Sequence, residues 1–298
     1  MTPLLVIEIG FDPNIATIGG FLLSWHGLFT AVGILAGVNL ALRIARVIDY
    51  DEDDAYTLAL VGVPSGIIGA RLLFVAEHWD FYGESPGDII AITEGGISIW
   101  GAILGGILGS YLFALWRGYE IGSGLDIAAF GLILGQAVGR IGDVINGEHL
   151  ATVTDLPWGV IYTDPNSPGF AHSVNVGAVH PAVAYELIGD LVILAVLFGV
   201  LFGVFRNRPG LTFLVYFAGY AAMRFVLTEL RVDSAESLLG LRVPQVASMF
   251  ALIGAIPLLI YYWNQPPVNR RREVATVGEL TGEFMLRSGG RRVPARRR

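Results

Sequence analysis

From Ile15 to Leu42 the chain carries no aspartate, glutamate, lysine or arginine. Coiled as a helix at ~1.5 Å per residue, a run of that length crosses the roughly 30 Å hydrocarbon core of a bilayer. Gly95 to Trp116 is equally free of charge. In lipid each backbone polar group must find its partner inside the segment, which a helix provides. Composition extends the constraint to the whole chain: 54% hydrophobic residues, 15% charged and a mean hydropathy of +0.61 exceed what a soluble domain of this size can bury. The expected fold class is all-α, a polytopic membrane protein.

Seven spans are expected, at about Gly20–Ile48, Ala55–Trp79, Gly95–Trp116, Gly124–Ile145, Pro181–Phe205, Leu211–Leu230 and Val243–Trp263. The first is expected to be retained rather than cleaved as a signal peptide, because Met1 to Gly20 has Glu8 and Asp12 but no basic residue. Asp51-Glu52-Asp53-Asp54 suits the positive N-terminal dipole of the second helix. Between the fourth and fifth spans, residues 147–180 are rich in the turn formers Pro157, Pro165, Asn166, Ser167, Pro168 and Gly169. They predict a small extracytoplasmic head with short strands around Trp158 to Tyr162. The organisation is therefore a seven-helix membrane domain over residues 1–263, including the head, followed by an arginine-rich tail over 264–298. No internal repeat is visible.

The basic residues orient the chain. Lysine and cysteine are absent, so all nineteen basic residues are arginines, and a retinal Schiff base, a disulfide and a cysteine nucleophile are excluded. Fourteen of the nineteen fall in the loops after spans one, three and five and in the tail. The positive-inside rule then puts the N-terminus outside and the tail in the cytoplasm. Arg71, Arg140, Asp143, Glu186, Asp190 and Arg224 all fall in the outer half of the bilayer on this reading, together with His26 and Trp100. Charges at that depth are costly and either pair or line a polar cavity. Buried ion pairs that fix helix packing, such as Arg71 with Glu186, are one reading of them. The other is a phosphate site, since the arginine fork matches phosphate oxygens two at a time. An outward-facing cavity open to the outer leaflet suggests a phospholipid. A transporter would want polar groups through the inner half as well, and few are there.

The densest cluster is Gly139-Arg140-Ile141-Gly142-Asp143-Val144-Ile145-Asn146-Gly147-Glu148. It resembles the Gly-Arg-Leu/Ile-Gly-Asn-Phe/Leu-Ile/Leu-Asn-Gly-Glu motif of prolipoprotein diacylglyceryl transferases. Phe11-Asp12-Pro13, Ser24-Trp25-His26-Gly27-Leu28, Gly95-Gly96-Ile97-Ser98-Ile99-Trp100-Gly101, His180-Pro181 with Tyr185-Glu186, and Arg224 with Arg231 resemble further family motifs in the expected order. Together they cover about residues 11–263. The resemblance implies an enzyme of the plasma (inner) membrane that moves the diacylglyceryl group of phosphatidylglycerol to the lipobox cysteine thiol of a preprolipoprotein and releases glycerol 1-phosphate. It implies that Arg140 and Arg224 hold the phosphate and that Arg231 helps at the outer mouth. Asn146 and Glu148 would order the site with Gly147, Tyr185 and Glu186 would brace it, and the head would meet the peptide. Phosphatidylglycerol, the lipobox peptide and membrane lipid are the expected partners, with no nucleic acid, no cofactor and no metal; no His-Glu-x-x-His motif is present.

Two positions depart from the family pattern. Trp100 stands where a histidine, one proposed thiol base, is usual, and Asp143 stands where asparagine is usual. An aspartate one turn from Arg140 is expected to pair with it and weaken its hold on phosphate. His26 stands where tyrosine is usual, either as a packing histidine or as the group that takes over proton handling. A relative that binds phospholipid or lipopeptide without transfer is the alternative.

Overall fold

The computed structural model describes residues 6–19, 21–83, 86–90, 96, 98–201, 207–236 and 240–267. The tail beyond residue 267, Arg206 and the side chain of Trp100 lie outside the described residues. The chain is mostly helical. In order it forms β1 (Ile7–Ile9), β2 (Asn14–Ile18), β3 (Phe21–Ser24), α1 (Trp25–Val47), α2 (Glu52–Glu77), α3 (Trp79–Tyr82), α4 (Ile99–Arg117), α5 (Ile121–Asn146), β4 (Val160–Tyr162), α6 (Phe170–Val176), α7 (Ala182–Val200), α8 (Leu211–Leu227) and α9 (Val243–Trp263). Among the described residues six helices, α1, α2, α5, α7, α8 with its short 3-10 continuation, and α9, are long and apolar enough to cross a membrane. Over Gly101–Arg117, α4 is a shorter apolar helix.

Local chemistry sets the helix ends. Ser24 Oγ accepts the Gly27 amide at 3.1 Å and caps α1. The acidic start foreseen for α2 is there: Asp51 accepts from the amides of Asp53 and Asp54 at 2.8 and 3.0 Å. Gly147 closes α5 at φ +78°, a left-handed conformation in which a Cβ would also meet Ser167 Oγ at 2.4 Å.

The expected start of the first span at Gly20 is corrected. Residues 21–24 are strand β3, paired antiparallel with β2 around Gly19 at φ +58°, and the helix begins only at Trp25. A Gly-Gly pair between two short apolar runs is a hairpin signal, and here it outranks hydropathy. The strand expected around Trp158 to Tyr162 is present as β4. Its partner is the N-terminal β1, parallel, with Ile7 opposite Val160 and Ile9 opposite Tyr162. Val179 bridges to Val160 from the head's own C-terminal end, and the Thr152 amide donates to Leu230 O, so the end of α8 is also tied in. The described residues are thus mostly helical with two small two-stranded sheets rather than purely α.

Helix α5 is central, packing on α1, α7 and α8, while α2 pairs with α4 and α9 with α8. Bare backbone permits the closest crossings. A Cβ on Gly37 would lie 2.4 Å from Gly131 O, and one on Gly69 would lie 2.4 Å from Gly101 O. Small residues at such crossings let helices meet where lipid supplies no hydrophobic drive. Ile44, Phe130, Ile133, Leu197 and Tyr216 form an apolar core between α1, α5, α7 and α8. On α1, α5 and α7 these residues sit toward the opposite end from His26, Arg140 and Glu186, so the charges gather at one end of the bundle.

Candidate active site

Glu186 organises the charges. It stands in the first turns of α7, 1% exposed, and three arginines converge on it. Arg140 Nη2 reaches Glu186 Oε2 at 2.7 Å, Arg224 Nη1 pairs with Oε1, and Arg231 Nη1 approaches Oε1 at 3.3 Å. These arginines come from the end of α5, the end of α8 and the residue after the 3-10 turn that follows α8, so one carboxylate ties three segments together. Removing a carboxylate from such a buried cluster would strand guanidinium charge at a cost of several kcal/mol.

The network extends in two directions. Arg140 Nη1 donates to Asp143 Oδ2 at 2.9 Å, the pairing expected one turn along α5. Asp143 Oδ1 in turn faces His26 Nδ1 at 2.5 Å, a contact across 117 residues. Gly142 makes that contact possible, because a Cβ there would sit 2.8 Å from Trp25 O and His26 Cα. On the other side Arg231, 5% exposed, donates through Nε and Nη2 to Asp233 at 3.0 and 2.8 Å, and its Nη2 lies 2.7 Å from His149 Nδ1. Asp233 and His149 had not been singled out from sequence. Their signal was position alone: one lies two residues after an arginine, the other directly after Glu148.

Arg140 and Arg224 keep unused donors. Among the described residues, Arg140 Nε and Arg224 Nε and Nη2 have no hydrogen-bond partner, and the side chains are 16% and 18% exposed. Two guanidiniums held by Glu186, each with N–H groups to spare, have the chemistry to accept an anion.

The remaining expected site residues lie around this cluster. Asn146 Nδ2 donates to Glu148 Oε1 at 3.3 Å, and Asn146 Oδ1 is buried without a partner among the described residues. Ser167 Oγ donates to Asn146 O at 2.7 Å and Tyr162 OH to Val144 O at 3.0 Å, so the head clamps the end of α5 around Gly147. Burial, with Asp143 and Glu148 nearby, pushes the Tyr162 hydroxyl up to about 12, so it remains a donor at neutral pH. Tyr185 faces the head rather than the arginines: Trp158 Nε1 donates to its hydroxyl at 2.7 Å, with His180 Nδ1 at 3.4 Å. A small pocket lined by Glu148, His149, Tyr162, His172, His180 and Val183 lies within the head, against the first turn of α7.

Arg71 is not part of the cluster, and the suggested Arg71–Glu186 pair does not form. Its guanidinium donates to the carbonyls of Ile89, Gly96 and Asp88 at 2.8, 2.8 and 2.5 Å and lies over Tyr82, anchoring the segment after α3. Asp190, one turn beyond Glu186, is fully buried, and its carboxyl oxygens have no hydrogen-bond partner among the described residues. Among those residues no group of histidine and carboxylate side chains is placed to hold a metal.

The family model described as prolipoprotein diacylglyceryl transferase matches residues 13–261. The chain is similar to proteins named phosphatidylglycerol–prolipoprotein diacylglyceryl transferase from several bacteria. It is 36% identical to that of Dehalococcoides mccartyi over 259 residues, covering 86% of this chain and 95% of the relative. It is 37% identical to that of Gloeobacter violaceus over 275 residues, covering 89% and 97%. To that of Clostridioides difficile it is 33% identical over 246 residues, covering 82% and 93%.

Proposed function

The chain belongs to the prolipoprotein diacylglyceryl transferase family, and from that premise we propose that it transfers the diacylglyceryl group of phosphatidylglycerol to the lipobox cysteine thiol of preprolipoproteins, releasing glycerol 1-phosphate. The observation that carries the reading is the pair of guanidiniums, Arg140 and Arg224, fixed on the two oxygens of Glu186 with donors to spare. A thiol attacking the glycerol carbon must expel a phosphate ester, and the barrier falls when fixed cations wait where its charge develops. Glu186 keeps those cations in place without covering them. Arg231, bound by Asp233 and His149, is better suited to holding the wall of the site than to gripping the donor. Asn146 and Glu148 border the position that the headgroup glycerol would take, and Asn146 Oδ1 is a buried acceptor that a glycerol hydroxyl could satisfy. His26 is the candidate acceptor of the thiol proton.

The multi-pass chain sits in the plasma membrane with seven spans, α4 being the one beyond the six long apolar helices. The N-terminus and the head face outward, the tail faces the cytoplasm, and the charged cluster opens to the outer leaflet. Arginine asymmetry supports this orientation. The chain has no cysteine, so single introduced cysteines report sidedness cleanly. In intact spheroplasts Asp155→Cys, exposed in the head, is expected to react with a membrane-impermeant maleimide, and Asn207→Cys, exposed before α8, only after lysis. The reverse pattern would overturn the orientation. The activity itself is tested by incubating the purified protein with phosphatidylglycerol and a lipobox peptide. The expected product is a peptide heavier by one diacylglyceryl group in thioether linkage, and an unmodified peptide would refute the transfer.

A further inference from the structure

We propose that Asp143 is a shared positioning residue: one carboxylate oxygen holds the His26 ring so that its far nitrogen faces the thiol, while the other restrains Arg140 until donor phosphate takes that guanidinium. The inference rests on the transfer reading above and adds a link between its proton step and its phosphate step.

The tautomer follows from who faces whom. A carboxylate 2.5 Å from His26 Nδ1 requires that nitrogen to carry the hydrogen, which in the neutral ring leaves Nε2 with the lone pair and makes it the proton acceptor. Among the described residues Nε2 has no partner, and the ring is half-exposed while Asp143 is buried. The other histidines near the head are differently placed. His149 Nδ1 lies 2.7 Å from Arg231 Nη2 and 3.1 Å from Asp233 Oδ2, so that nitrogen is taken up by the arginine–aspartate pair. His172 Nε2 is engaged with Ala151 O. Backbone packing holds the His26 geometry: Ser24 caps the first turn of α1, and Gly142 lets that turn press on α5. A ring fixed at one nitrogen by a buried carboxylate is oriented before substrate arrives, which is how a second group raises the efficiency of a histidine base.

The step balances within this set of groups. The cysteine thiol gives its proton to His26 Nε2, and the sulfur bonds to the glycerol carbon that carries the phosphate ester. The carbon–oxygen bond breaks with its electron pair going to the phosphate oxygen. The imidazolium is compensated by Asp143, and the departing glycerol phosphate is compensated by Arg140 and Arg224. Because the same Asp143 also lies 2.9 Å from Arg140 Nη1, phosphate and aspartate compete for that guanidinium. Binding of the donor lipid therefore frees Asp143 to serve the imidazolium at the moment it forms.

A kcat-against-KM split in the peptide transfer assay, with phosphatidylglycerol as donor, tests this. Asp143→Asn is expected to lower kcat about 10²-fold, part of the range that base catalysis supplies. Its KM for the lipid should be unchanged or lower, because Arg140 loses its competitor. His26→Gln, on a half-exposed ring, is expected to lower kcat at least as far with KM unchanged, and the double variant should lie no lower than His26→Gln alone. A structural role for Asp143 would instead raise KM or lower the melting temperature. Asp143→Asn or His26→Gln within threefold of the unaltered enzyme, or two losses that multiply in the double variant, would overturn the inference and leave the transferase standing. No transfer by the unaltered protein would remove both.

Discussion

Arg140→Lys and Arg224→Lys are each expected to lower the rate of diacylglyceryl transfer about 10²- to 10³-fold, the scale on which one preorganised donor to a developing anion acts. Both substitutions keep a positive charge. What they lose is the planar fork that can grip Glu186 with one edge and a phosphate oxygen with another. An ammonium on a shorter reach must choose between the two. Because the lysine still neutralises Glu186, both variants should insert, purify and melt close to the unaltered protein. That separation of activity from stability is the informative part: full activity in both would reduce the arginines to packing charges.

Glu186→Gln is expected to have the opposite signature, a large loss of stability. Its carboxylate touches three guanidiniums and is 1% exposed. Arg140 would keep Asp143, and Arg231 would keep Asp233, but Arg224 would lose the carboxylate it is paired with. Stripping one partner from a buried pair costs about 3–5 kcal/mol, which for a chain of this size corresponds to a melting temperature lower by roughly 5–8 °C. Thermal unfolding in detergent, followed by tryptophan fluorescence, gives the number. A shift of only a degree or two would mean that the three arginines are held by their surroundings and not by Glu186.

The helices of this chain were legible because lipid imposes a simple rule, which the charge-free run up to Leu42 obeys from Trp25 onward. The acidic cap at Asp51 was legible for the same reason, a local one: its partners lie two and three residues away. What sequence could not supply was the choice of partner between segments. Arg71 and Arg140 look alike in their helices, yet one turns to loop carbonyls and the other to Glu186, since α2 packs on α4 while α5 packs on α7. His26 and Asp143 were each visible singly as residues unusual for the family motif. That they touch depends on Gly142 admitting the first turn of α1, a fact of packing between helices 117 residues apart. The pairing of β1 with β4 was hidden similarly, because a three-residue strand has no periodicity to read and its register is settled by the fold around it. The β2–β3 hairpin is different: Gly19-Gly20 announced it, and the hydropathy of the flanking residues masked it.

The most direct measurement follows the phosphorus. Purified protein is given phosphatidylglycerol labelled with radioactive phosphate, together with a lipobox peptide, and the peptide, lipid and aqueous fractions are separated. If the thiol attacks the glycerol carbon while Arg140 and Arg224 hold the departing phosphate, label must appear in water-soluble glycerol phosphate in step with a phosphorus-free diacylglyceryl group on the peptide. Label on the peptide would mean attack at phosphorus, and label remaining in lipid while the peptide gains a single acyl chain would mean thioester formation. Either result would contradict an arginine-held phosphate leaving group.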